Sequence, residues 1–137
     1  MARDLFHDVV KAALEAEGWI ITADPLKFEF GDVKFQVDLA AEQVLAAERM
    51  GEKIAVEIKS FLRASAITDF YGALGQFLSY RLALTATEPD RLLYLAVPVD
   101  TYEDFFRLEF TQAAIKTYQL RLIVYDALTK EIVQWIS

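Results

Sequence analysis

Apolar residues recur along the chain with two different periods, and the switches between them lay out the elements. From residue 3 to 17 the spacing is helical: Leu5, Phe6, Val9, Val10, Ala13 and Ala16 fall on one side, and Asp4, His7, Asp8, Lys11 and Glu15 on the other. Gly18 follows, where glycine commonly ends a helix. The period then changes to two. WIITA reads as a strand and Asp24-Pro25 breaks it. The run from Phe28 to Val37 alternates around Gly31-Asp32, which predicts a hairpin of LKFEF and VKFQVDLA. Glu42 to Met50, EQVLAAERM, has the alanines and glutamates of a helix but stands between strand signals and before Gly51. The expectation there is a strand that folds back on KIAVEIK through Met50-Gly51-Glu52.

Ser65 is a capping residue for AITDFYGALGQFLSYRLALTA, which is helical in spacing up to Glu88-Pro89. RLLYLAVPV is a continuous apolar run of the kind found in the middle of a sheet. Asp100 or Thr101 is expected to cap a further helix, YEDFFRLEFTQAAIKTYQ, and LRLIVYDALTKEIVQWI to close the chain as a hairpin turning near Asp126 to Lys130. The order is helix, three or four strands, helix, strand, helix and a terminal pair of strands. It predicts an α/β fold with a mixed central sheet flanked by helices, in one domain over residues 1–137. Phe70, Leu74, Phe77 and Leu78 are expected in the core. Phe105, Phe106, Phe110 and Tyr118 should pack a helix on the sheet rather than stack bases, because nothing basic is interleaved with them.

Composition narrows the chemistry. The 137 residues include no cysteine and one histidine, which excludes disulfides, thiolate metal sites and multi-histidine sites within one chain. No apolar stretch is long enough to span a bilayer, and the amino-terminal stretch lacks a signal-peptide pattern, so the expected location is the cytoplasm with no membrane association. With 14 basic against 21 acidic residues the net charge is −7. Any role on nucleic acid therefore needs a local basic face, a metal or a partner.

KIAVEIKSF holds the main candidate. On a strand Glu57 and Lys59 project to one face while Val56 and Ile58 project to the other. Asp38 closes VKFQVD, and if that strand neighbours KIAVEIK its carboxylate can lie beside Glu57. Two carboxylates with open coordination positions suit Mg²⁺ or Mn²⁺, and a lysine beside them can orient a water and offset charge on a phosphate oxygen. The competing reading is a solvated strand edge, and Asp32-Val-Lys34 shows that the acid-x-lysine pattern arises beside a turn as well. Gln76 and Tyr80 share a helical face, four residues apart. Arg63 and Arg81 are candidates for phosphate, and His7 lies on the polar side of the first helix.

Asp38, then IAVEIK with Glu57 and Lys59, behind a helix ending in Gly18-Trp19, resembles the PD-(D/E)XK nuclease superfamily with its restriction-endonuclease-like αβββαβ core. Val37 stands where that pattern has proline, and 18 residues separate the two acids. The resemblance implies metal ligation by Asp38 and Glu57, catalytic assistance from Lys59, a contribution from Gln76 near the metal, and a place for His7 where related Holliday-junction resolvases have a glutamate. The last helix and hairpin are then additions to the core. RDLFHDVVKAAL, EGWIITADPL, VDLAAE, KIAVEIKSF, ALGQFLSYRLAL and PDRLLYLAVP together look like the XisH family, cyanobacterial controlling factors for excision of the fdxN element during heterocyst development. That similarity implies a controlling or accessory factor in DNA rearrangement, with a Mg²⁺-dependent endonuclease-like site. The alternative is a catalytically inactive nuclease-fold module that binds a XisI-type small protein or the recombinase. DNA contact would then come with partner help, and a homo-oligomer stays open.

Overall fold

The computed structural model describes residues 2–35, 43–62 and 65–137. The first amphipathic stretch forms helix α1 (Ala2–Ala16), after which Gly18 takes a φ of 90°. Among its described side chains Val9, Val10, Ala13 and Leu14 are buried; Leu14 takes the inward place expected of Ala16, which is exposed. Strand β1 (Ile20–Ala23) follows. Strands β2 (Phe28–Phe30) and β3 (Val33–Phe35) make the expected hairpin around Gly31-Asp32, pairing Phe28 with Phe35 and Phe30 with Val33. The hairpin is a separate two-stranded sheet.

Strands β4 (Gln43–Arg49) and β5 (Glu52–Ile58) form the second hairpin, so the alanine-rich segment is a strand. Tertiary burial overrides its helix propensity: Val44, Leu45, Ala46 and Ala47 are all buried. Arg49 pairs with Glu52 across a two-residue turn in which Met50 and Gly51 both have positive φ, 52° and 86°. That is the turn geometry whose twist matches paired strands. A Cβ on Gly51 would meet nothing within 4 Å. Gly51→Ala is therefore expected to cost only the backbone penalty of a left-handed residue, about 1 kcal/mol, read as a lower midpoint in equilibrium denaturation; an unchanged midpoint would contradict this account of the turn.

Helix α2 (Ala66–Thr87) begins at Ser65, whose hydroxyl accepts from the Thr68 N–H at 3.3 Å. It carries the chain to β6 (Arg91–Pro98), parallel to β5. The next segment departs from expectation. Asp100 and Thr101 lie inside a short helix α3 (Val99–Thr101) rather than capping a longer one; a π-helical turn follows over Tyr102–Phe106, and α4 (Glu109–Tyr118) starts only after Leu108, which is extended at ψ 150°. The break divides the aromatic residues: Phe105 and Phe106 are buried, whereas Phe110 and Tyr118 are 55% and 43% exposed. β7 (Leu122–Asp126) runs parallel to β6, and β8 (Glu131–Ile136) closes the edge as the expected hairpin. Its turn is held by the Asp126 carboxylate, which accepts from Leu128 N at 2.8 Å.

The result is a six-stranded mixed sheet, β1-β4-β5-β6-β7-β8, with helices on both faces. On one face α1 covers Leu45, Ile54, Val56, Ile58 and Ile123. On the other, α2 and the segment after β6 cover Val44, Ala55, Leu93, Leu95 and Val124. The strand through Val33–Phe35 is not a neighbour of β5, whose partners are β4 and β6. Among the described residues no helix is long and apolar enough to cross a membrane.

Candidate functional site

Strand alternation sends Glu57 to the α2 face, the side of Ala55. Its cross-strand neighbours are Val44 on β4 and Leu95 on β6, both buried and apolar. Glu57 is 0% exposed, and among the described residues neither carboxylate oxygen has a hydrogen-bond partner. An ionised carboxylate in such a place loses its hydration with nothing in return. Burial accordingly pushes the Glu57 carboxyl well above the usual carboxylate range. The edge reading is excluded: Glu57 lies inside the sheet.

One predicted residue of α2, Tyr80, lies near it, and a second, Gln76, is on the same helix. Tyr80 is close enough that the Glu57 charge, after burial itself, raises its hydroxyl above the ordinary range. Its ring is held edge-on by Phe28 and Phe35 at 5.8 and 5.9 Å, and those two stack on each other at 5.3 Å. The β2–β3 hairpin thus holds the tyrosine ring through both of its paired phenylalanines. Gln76 is one helical turn earlier on the same face, and its Oε1 is buried with no hydrogen-bond partner among the described residues. Two carboxylate oxygens and one amide oxygen, each a buried acceptor without a donor among the described residues, are ligand types that suit a hard cation such as Mg²⁺.

Lys59 continues the strand. Its N–H donates to Ala96 O at 3.0 Å and its carbonyl accepts from the Tyr125 hydroxyl at 3.3 Å, so the backbone two residues past Glu57 is fixed. Burial pushes that tyrosine hydroxyl well up. Asp38 and Arg63 lie outside the described residues. Among the described residues no three histidine, aspartate or glutamate side chains gather as a metal site.

His7 belongs to a different cluster. Its helix packs on the other face of the sheet, where its Nε2 meets Asp24 Oδ2 at 2.9 Å and Lys11 Nζ reaches the same oxygen at 3.2 Å. Burial works to raise the Asp24 carboxyl, but the hydrogen bonds and charges of His7 and Lys11 together hold it below its ordinary value. No hydrogen bond joins His7 to Glu57. Arg81 is elsewhere too, bound to the carbonyls that end α4. Sequence reading missed Arg91, which is 8% exposed and donates to Ile54 O at 3.0 Å while pairing with Glu48 and Glu88. Its position at the head of an apolar strand, beside Asp90, was the one signal available.

These features define a mixed α/β protein whose six-stranded sheet, flanked by helices, carries a buried acid in a central strand. Residues 1–133 match the family model described as XisH protein, and the chain belongs to the XisH family. Two crystal structures at 1.60 Å resolution are similar to it along nearly its whole length. One, an XisH family protein from Nostoc punctiforme PCC 73102, is 51% identical with a TM-score of 0.91, covering 98% of this chain and 100% of its own. The other, an fdxN element excision controlling factor protein from Anabaena variabilis, has the same identity and TM-score and covers 98% of this chain and 99% of its own. Nothing among curated proteins matches the chain.

Proposed function

We propose that this protein acts, like the Anabaena variabilis relative, as a controlling factor in excision of a DNA element, and that its site is of the metal-dependent endonuclease type. The observation that carries the second part is the carboxylate of Glu57, fully buried with no donor among the described residues. The order α1, three antiparallel strands β1-β4-β5, α2 and a parallel β6 supports a restriction-endonuclease-like core, with the β2–β3 hairpin as an insertion.

In this reading Glu57 and Asp38 hold the cation. Bound Mg²⁺ or Mn²⁺ supplies polarisation of a phosphodiester oxygen and a more acidic water. Gln76 adds an amide oxygen, and Tyr80 faces the same carboxylate with its hydroxyl protonated. The Lys59 ammonium, on a backbone fixed from two sides, offsets negative charge on the phosphate. The net charge of −7 favours a second reading, a nuclease fold that works through protein contacts with a XisI-type protein or a recombinase.

Calorimetric titration with Mn²⁺ and Mg²⁺ separates the two. Wild type is expected to bind, and Glu57→Gln and Asp38→Asn, with folding verified by circular dichroism, to lose at least about tenfold in affinity. Cleavage of branched or nicked DNA should then require the same residues. Equal binding by all three proteins, or none by wild type, would overturn the metal site and leave the interaction module.

A further inference from the structure

Arg81 and Arg121 stand 40 positions apart in the sequence, yet they line one cavity of about 280 Å³ with Thr85, Gln119 and Arg91. The cavity lies at the end of the sheet away from Glu57. Arg91, at the head of β6, pairs in register with Lys53, whereas Glu57 pairs with Leu95. Four strand residues separate the two levels, about 13 Å.

Arg81 is held in place before any ligand arrives. Its Nη1 donates to Gln119 O at 2.9 Å and its Nη2 to Tyr118 O at 2.8 Å, and its guanidinium lies 5.3 Å from the Phe77 ring centroid. The two carbonyls are the otherwise unpaired acceptors at the end of α4, where Gln119 turns left-handed at φ 53°. A guanidinium has five N–H donors, so three of Arg81's stay available. Arg121 makes neither an ion pair nor a side-chain hydrogen bond among the described residues. Burial, and then the charge of Arg121, bias Arg81 downward from the ordinary guanidinium range. Guanidinium groups do not discharge in proteins, so the like charges stay side by side. The third arginine, Arg91, is already paired with Glu48 and Glu88. In a chain with seven more acids than bases, no acid among the described residues pairs with either Arg81 or Arg121.

We propose that this cavity binds a phosphate oxyanion, with Arg81 and Arg121 as its cationic contacts and the Thr85 hydroxyl at its wall. Planar guanidinium forks suit phosphate oxygens, and a clamped arginine loses little freedom on binding. The proposal is independent of the metal reading, since it uses none of those residues.

The test is titration of the full chain in EDTA with inorganic phosphate and, separately, with a short DNA duplex, followed by arginine side-chain NMR signals. Arg121→Ala removes a side chain that makes no bond within the described protein, so the fold is retained; Arg81→Lys keeps the charge without the fork. Saturable binding of either probe that weakens about tenfold in Arg121→Ala, and less in Arg81→Lys, supports the site. If the duplex shares that dependence, with its salt slope reduced by about one, the ligand is a phosphodiester of nucleic acid. If only inorganic phosphate does, the ligand is a free phosphate or a monoester. No saturable binding of either probe, or binding unchanged in Arg121→Ala, overturns the proposal.

Discussion

Glu57→Gln is expected to make the metal-free protein more stable at neutral and alkaline pH, by a margin that widens as pH rises. In the unfolded chain the carboxyl titrates near its ordinary value of 4.5, and in the folded protein well above it. Below the unfolded value both states hold the proton and the stability associated with it is fully present. Above it the unfolded chain releases the proton while the folded one keeps it, so stability falls by about 1.4 kcal/mol per pH unit until the folded carboxyl also ionises. A glutamine at position 57 has no proton to release and lacks that slope. Its amide also brings N–H donors into a site where Glu57 and Gln76 present buried acceptors. Denaturant titrations in EDTA from about pH 5 to about pH 8 should show the two stabilities diverging. Added Mn²⁺ should then reverse the order, because only wild type gains from a ligand that binds the folded state. Parallel curves in EDTA would mean that the carboxylate is already ionised in the fold, and the buried-acid account would fail.

Much of that site was readable in the residues. Strand alternation in KIAVEIK placed Glu57 on the opposite face from Val56 and Ile58, and helical spacing put Gln76 and Tyr80 on one face of α2. What alternation does not report is depth. A charged residue on a strand looks the same whether its face meets water or a helix, and here Val44, Leu95 and α2 enclose it. The hairpin of Phe28 and Phe35 was legible as well, but its destination against Tyr80 was not, since the pairing is local while the docking is tertiary. For the same reason Asp24 read only as a break before proline, although the path of its loop carries it to His7 on α1. Arg81 and Arg121 line one cavity from 40 positions apart. In the Glu42 to Met50 region intrinsic propensity and sheet context pointed opposite ways, and context prevailed because the segment lies between two strands. The aromatic stretch after Thr101 failed differently. Two helices separated by a π-helical turn keep nearly the apolar spacing of one, so periodicity ran through the break at Leu108.

Phe106 makes that irregular segment matter. Its ring is fully buried and meets Phe61 at 5.5 Å, Phe105 at 5.6 Å, Phe70 at 5.7 Å and Tyr102 at 6.3 Å. It joins three parts of the chain: the π-helical turn, the first turns of α2 and the segment just after Lys59. Edge-to-face pairs add to the burial of the ring, so the loss on truncation exceeds the transfer term alone. Phe106→Ala is expected to cost about 3–5 kcal/mol, a large fraction of the stability of a domain this size, whereas Phe106→Leu should cost clearly less because it leaves a smaller cavity. Phe61 would lose its edge-to-face partner in both variants. Metal affinity per folded molecule should therefore fall in both if the Phe61 contact is what fixes the segment after Lys59, and stay at the wild-type level in the leucine variant if the backbone bonds from Lys59 to Ala96 and Tyr125 suffice. Denaturation midpoints measured beside calorimetric metal titrations distinguish these outcomes. A Phe106→Ala protein of unchanged stability would show that the aromatic hub contributes nothing to holding β5 against α2.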